Sequence, residues 1–313
     1  MSVFSLKTCA EEPGNFPPLT VDNYIKDIVN HPAFTGFGER MLSRDDNSVY
    51  YDTRITDAAS LMPYHQNVNP DVIVNALNYM INEAQNGKTI FYDFYTEQQK
   101  KADTAKKNTG LFFFRGKPGA PFAIVCPGGG FTYVGSLHGG FPLALEISKK
   151  GYNAFVIRYR IGGERFACED LAAAIAYILT NSRTLEVNTE DYSLWGGSAG
   201  GRMAARLSTN GTAFYGEKEY PKPAAAVIFY TGHSDFTLNN PPTFSVLGEW
   251  DNIANPAIME QRINAMKAAG IDAEFHLYPN VGHGFGIGVG TTAEGWVNNA
   301  VRFWEKHLNC KSS

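Results

Sequence analysis

The sequence predicts an α/β chain in which a mostly parallel, eight-stranded sheet carries helices on both faces. Two observations point there. From residue 89 onward, short apolar runs such as Phe122-Ala123-Ile124-Val125-Cys126 alternate with longer amphipathic stretches such as Asp170-Leu171-Ala172-Ala173-Ala174-Ile175. Continuous apolar runs of strand length suit strands buried on both faces, and the intervening helical spacing supplies the layers that bury them. Glycine-rich turns then follow several of the apolar runs, as in Pro127-Gly128-Gly129-Gly130 and Gly196-Gly197-Ser198-Ala199-Gly200.

The first 88 residues stand outside this alternation and are read as a separate helical and loop extension, with residues 89–313 as the main domain. The extension holds helix-like segments at 21–29 and 71–84, joined by a loop-rich stretch over 31–70. A connection of that length is uncommon in a compact domain. It either folds over the strand ends to form part of a pocket or only covers the sheet edge. His31, Phe34, Phe37, Tyr64 and His65 are its residues of interest. Strands are expected at 89–95, 111–115, 122–126, 152–160, 192–195, 224–230, 243–247 and 273–278, and helices at 141–150, 170–181, 199–209, 257–269 and 292–308. The lysine-rich stretch 98–108 between the first two strands reads as a solvated hairpin loop.

Chemistry is concentrated at the strand ends. Gly196-Gly197-Ser198-Ala199-Gly200 follows a strand and precedes a helix, the setting of a sharp turn that exposes a serine hydroxyl. Ser198 is therefore the candidate nucleophile. A serine hydroxyl needs a general base and an acid that orients the base. His283, in Val281-Gly282-His283-Gly284-Phe285 beyond the strand at 273–278, is the expected base. Asp251 emerges from the strand at 243–247 and is the preferred acid, with Glu249 as its rival. The glycines after the strand at 122–126 leave backbone N–H groups available for a developing oxyanion, so Gly129 or Gly130, with Ala199, are the expected donors. Pro127 has no N–H and cannot serve. A phosphate cradle is disfavoured because no Gly-Lys-Ser/Thr continuation follows the glycines.

At 313 residues and 44% hydrophobic content the chain can bury a substantial core. A net charge of −4 with both signs interspersed provides no basic field, which excludes nucleic acid as an expected partner. Met1–Lys7 lacks a continuous apolar segment and no run reaches the length of a membrane span, so no membrane association is expected and a cytoplasmic location is the default. Cys9, Cys126, Cys168 and Cys310 lack metal or redox spacing and are read as reduced thiols, Cys126 as a core residue. The six histidines other than His283 show no paired spacing, so no metal is expected. His276 lies within a strand and His307 at a helix C-terminus, both structural settings. His233 and Asp235 follow another strand end and either line the pocket or form a turn. The glycines from Gly282 to Gly290 fail the dinucleotide template and read as a mobile loop carrying the base.

With Pro127-Gly128-Gly129-Gly130, Arg158-Tyr159-Arg160, Gly196-Gly197-Ser198-Ala199-Gly200-Gly201 and Asp170 opening a helix, the chain resembles the α/β-hydrolase superfamily over residues 89–308. It is most similar to the esterase/lipase, acetylxylan-esterase-like group with its HGGG and GxSAGG segments. The chain order Ser, Asp, His is the α/β-hydrolase order. One departure is Pro127, where the group usually has histidine. The resemblance implies an α/β-hydrolase fold and a serine hydrolase without cofactor that cleaves small carboxylic esters, with acetylated carbohydrate as one substrate class. A peptidase or amidase of the same fold and a non-catalytic relative are the alternatives. The expected partner is a small-molecule ester, and a homo-oligomer is left open. Phe131, Tyr133, Gly197, His233, Phe34 and Tyr64 are the candidate substrate-binding residues.

Overall fold

The computed structural model describes residues 16–309, so Met1–Lys7, Cys9 and Cys310 lie outside the described residues. The strands are β1 (Phe91–Tyr92), β2 (Gly110–Phe114), β3 (Phe122–Cys126), β4 (Asn153–Arg158), β5 (Ser193–Gly197), β6 (Ala225–Phe229), β7 (Thr243–Gly248) and β8 (Ala273–Tyr278). They form one eight-stranded sheet in the order β1-β2-β4-β3-β5-β6-β7-β8. Strand β2 runs antiparallel to both of its neighbours, and the remaining pairings are parallel. The helices are α1 (Ile25–Val29), α2 (Pro70–Gln85), α3 (Glu97–Ala102), α4 (Phe141–Lys149), α5 (Glu164–Thr180), α6 (Ser182–Leu185), α7 (Ala199–Asn210), α8 (Pro256–Ala268) and α9 (Trp296–Glu305).

The pleat divides each strand between two apolar layers. Val125, Val156, Trp195, Val227 and Val246 face α2, α4 and α9, while Ile124, Phe155, Leu194 and Ile228 face α5, α7 and α8. Strands β2 to β7 are buried at every position, which is why they read as unbroken apolar runs. Residues 16–62 join the first layer: Ile25, Ile28, Phe34, Met41, Leu42, Ile55 and Leu61 are fully buried in the same cluster as the sheet residues. The stretch over 31–70 is a chain of 3₁₀ turns (Pro32–Phe34, Gly38–Met41, Ser48–Tyr50 and Ile55–Leu61).

Three segments differ from the sequence expectation. The stretch 98–108 is not a hairpin loop: Thr96 and Gln99 form a reciprocal capping box that starts α3, and a 3₁₀ turn covers Thr104–Asn108. Lys100 is buried there, paired with Asp93 at 3.0 Å and Glu97 at 3.1 Å. Strand β1 is only two residues long, because Phe94 and Tyr95 turn into the second apolar layer. Helix α5 begins at Glu164, which puts Asp170 inside the helix and not at its opening.

Asp170 is fully buried, where an isolated carboxylate would be costly. It accepts hydrogen bonds from the Arg160 backbone N–H (2.6 Å), the Arg160 Nε (2.8 Å) and the Tyr95 hydroxyl (2.6 Å). These bonds tie the end of β4 to α5. Asp170→Ala removes the carboxylate and strands part of a buried guanidinium, so it should cost about 3–5 kcal/mol in urea unfolding. A loss below about 1 kcal/mol would show that this pairing contributes little.

Candidate active site

The central feature is the turn between β5 and α7. Ser198 has φ +53° and ψ −120°, a strained setting for a residue with a side chain. The strand and helix approach so closely that a Cβ on Gly196 would lie 2.1 Å from the Gly200 carbonyl oxygen, and one on Gly200 would lie 1.9 Å from that of Cys126. The Ser198 N–H donates to the Phe229 carbonyl at 2.9 Å, which fixes the turn to β6.

Three side chains far apart in sequence meet here. The Ser198 hydroxyl lies 2.9 Å from His283 Nε2, and His283 Nδ1 donates to the Asp251 carboxylate at 2.8 and 3.0 Å. A carboxylate can only accept, so the Nδ1 proton leaves Nε2 free to accept from the serine. Asp251 also accepts from the backbone N–H groups of Ile253 (2.9 Å) and Ala254 (2.7 Å), which fix its plane. His283 is 1% exposed and Asp251 7%. The rival acid, Glu249, is exposed and accepts from the Asn280 N–H at 3.4 Å, away from this array.

The loop after β3 is held by its carbonyls. The Tyr159 hydroxyl donates to the Pro127 carbonyl at 2.7 Å and the Gly135 N–H to that of Gly128 at 2.9 Å. The Gly129 carbonyl accepts from the N–H groups of Thr132 and Tyr133 and from the Thr132 hydroxyl. These bonds set the loop's shape without the histidine that Pro127 replaces. Among the described residues, no acceptor takes the N–H of Gly129 or Gly130, and the N–H of Ala199 lies in the first turn of α7, beyond the reach of intrahelical acceptors.

Gly130, Phe131, Ser198, Ala199, Tyr230 and His283 line a cleft of about 300 Å³, closed by Arg202, Thr231, Gly232, Ile253 and Ala254. The other candidate substrate contacts fall elsewhere. Tyr64 stands at the edge, its ring against Gly130. Tyr133 is fully buried, accepting from the Tyr64 N–H (3.0 Å) and donating to His65 Nδ1 (2.9 Å), a structural pin. Gly197 is covered by the Phe229 and Tyr230 rings, and His233 is buried behind the wall, its pKa pushed down to about 4 by burial and then by the Arg262 and Arg206 charges. Phe34 packs between His31 and Phe37 in the first apolar layer, away from the cleft. Tyr230, whose ring meets the His283 ring edge-on at 5.2 Å, carries no sequence signal. Arg202 does: it lies one helical turn beyond Ser198.

The BD-FAE family model matches residues 115–261. An α/β-hydrolase enzyme from a Medee basin deep-sea metagenome library superimposes with a TM-score of 0.54 at 23% identity, covering 64% of this chain and 93% of that one. The chain has the α/β-hydrolase fold. An acetyl ester-xyloside bifunctional hydrolase from Caldicellulosiruptor lactoaceticus superimposes with a TM-score of 0.60 at 20% identity, covering 69% of this chain and 95% of that one. In sequence the chain is 23% identical to an acetylxylan esterase of Xylanibacter ruminicola over 60% of its own length and 48% of the relative's. It thus spans about half the length of that curated relative.

The loop bearing His283 lies outside the matched segment, and it is anchored by residues remote in sequence. The Gln66 N–H donates to the His283 carbonyl at 3.1 Å, His138 Nε2 to the Gly284 carbonyl at 2.9 Å, and Trp296 Nε1 to that of Gly286 at 3.0 Å. Gly284 has φ +68°, and a Cβ there would lie 2.8 Å from the His65 Cα. The expected mobile loop is therefore tightly packed, and His65 backs the His283 loop instead of lining the pocket. Burial pushes the His138 pKa down to about 4, only partly offset by the Gly284 carbonyl bond, and pushes that of His65 well below the usual range. Both stay neutral in the folded chain where an unfolded histidine would take up a proton, so the unfolded state binds more protons below about pH 6.5. Stability should fall as pH drops from about 6.5 toward about 4, and His138→Gln should flatten that slope in urea midpoints measured across the window. An unchanged slope would place the proton uptake elsewhere.

Proposed function

We propose that this α/β-hydrolase is a carboxylic ester hydrolase that removes small acyl groups, acetyl esters of carbohydrates among them, through an acyl-enzyme. The observation that carries the reading is the continuous relay from Ser198 through His283 to Asp251 at the floor of an open cleft. In the first step Ser198 Oγ attacks the ester carbonyl while its proton passes to His283 Nε2, and Asp251 stabilises the resulting imidazolium. The oxyanion forms beside the N–H groups of Gly130 and Ala199, with Gly129 as a further donor. Collapse expels the alcohol, protonated by His283, and leaves Ser198 acylated. Water, deprotonated by the same histidine, then attacks the acyl carbon and releases the acid. A cleft of about 300 Å³ is at the small end of ligand sites, which favours a short acyl group. The names of the acetylxylan esterase and the acetyl ester-xyloside hydrolase support an acetyl group on a sugar as the substrate class.

Hydrolysis of para-nitrophenyl acetate, with little turnover of the butyrate and of aminoacyl anilides, is the direct test. Preference for an anilide would assign an amidase instead. Ser198→Ala should lower turnover by about 10⁶-fold with the fold retained, as loss of the nucleophile does in comparable triads. More than a few per cent residual activity in a purified sample would reject Ser198 as nucleophile. Asp251→Asn should lower kcat by about 10⁴-fold, since it leaves the base in the wrong tautomer. Glu249→Gln should be close to unaltered, and the opposite ranking would transfer the acid role.

A further inference from the structure

Helix α7 carries the nucleophile at its N-cap and exposes little else: its first three turns are buried except at Arg202, Arg206 and Thr209, and Asn210 closes the helix in the open. Ser198, Arg202, Arg206 and Asn210 are spaced four residues apart, so they form one stripe along the helix. At the helical rise this stripe runs for ~18 Å, the length of a short oligosaccharide. It links two hollows. Arg202 lines the cleft at Ser198, and Arg206 and Asn210 line a groove of about 600 Å³. Glu164, which lines the groove, bridges the two, with its carboxylate 2.8 Å from Arg202 Nη2 and 3.2 Å from Arg206 Nε. The groove continues past Arg165, Phe214 and Tyr215 into a third hollow of about 440 Å³ that shares those three residues.

The lining has a specific chemistry. Phe214 stands on a single 3₁₀ turn, Ala213–Tyr215, and is 70% exposed, an open aromatic face beside hydrogen-bonding groups. The guanidinium groups nearby are matched by carboxylates: Arg202 and Arg206 with Glu164, Arg206 also with Asp235 at 3.0 Å, and Arg165 with Glu169 at 3.1 Å. Neutralised pairs do not select an anionic ligand, but they present planar donors and acceptors at fixed positions. An aromatic face flanked by such pairs suits a neutral ring with C–H faces and equatorial hydroxyls.

We propose that this groove binds the carbohydrate chain that carries the scissile ester, with a pyranose ring stacked on Phe214 while an acetyl group on a neighbouring unit occupies the cleft at Ser198. The inference rests on the reading of the site as a carbohydrate acetylesterase. It makes the enzyme a reader of chain length as well as of the acetyl group, since only an oligomer can reach from Ser198 to Phe214.

The test compares para-nitrophenyl acetate, acetylated xylobiose and acetylated xylohexaose on the wild-type chain and on Phe214→Ala, a surface change that leaves the Ser198 site untouched. The wild type should prefer the hexaose, and Phe214→Ala should raise KM for the hexaose about tenfold through loss of one stacked face, with the nitrophenyl ester and the bioside unaltered. Equal KM values for both proteins on the hexaose would overturn the groove while leaving the esterase reading intact. Absence of cleavage of any ester would reject the esterase reading, and the groove would then be judged by titrating unacetylated xylohexaose against Ser198→Ala. Saturable binding that Phe214→Ala weakens supports it, and no binding, or binding indifferent to Phe214, overturns it.

Discussion

The close crossing of β5, α7 and the end of β3 is the constraint on which the rest of the structure depends. Helix α7 starts so near the Cys126 and Pro127 carbonyls that residue 200 has no room for a side chain, and β5 lies equally close to the helix at Gly196. That crossing forces Ser198 into a backbone region that costs of order 1–3 kcal/mol, and the cost is offset by the buried layers on either side of β5. In return the hydroxyl stands clear of the sheet, next to the first turn of a helix whose N–H groups have no acceptors of their own.

Three consecutive residues, the last of β4 and the two that follow it, organise the surroundings of this turn. Arg158 reaches Asp45 in the N-terminal segment at 2.9 Å, Tyr159 donates to the Pro127 carbonyl, and Arg160 clasps Asp170 in α5. Successive side chains on a strand point to opposite faces, so one short segment can tie the extension, the glycine loop and a helix to the same sheet end. The Tyr159 bond explains how the loop keeps its form with proline at position 127: what matters is a fixed carbonyl, and a tyrosine from the neighbouring strand holds it.

The histidine loop is stabilised differently. It contains no regular element, and Gly284, Gly286 and Gly288 all have positive φ, so its own backbone preferences cannot fix it. Its order comes from neutral partners, the buried His138 and Trp296 side chains and the Gln66 backbone N–H, that occupy its carbonyls. The first 88 residues thereby contribute to the site by bracing the His283 loop from behind as well as by placing Tyr64 at the rim of the cleft.

The sequence by itself determined the alternation of strands and helices, the turn at Ser198 and the set of residues that meet there, because each of these is written in a short window: a run of buried strand residues, a glycine pair around a serine, a histidine or carboxylate just past a strand end. It also carried the capping signal Thr96-x-x-Gln99 that turns 97–102 into a helix, though lysine content masked it. Only the tertiary structure shows that Asp251, and not Glu249, meets His283, since two positions along one strand end differ by which way the side chain points and by the N–H groups of Ile253 and Ala254 that bind one carboxylate. It likewise separated Phe131, on the cleft wall, from Phe34 and Tyr133, which composition cannot distinguish: an aromatic residue reads the same whether its ring fills a core or faces a ligand. Contacts such as Gln66 with His283 join positions more than two hundred residues apart, and no local pattern encodes a backbone hydrogen bond between two such distant loops.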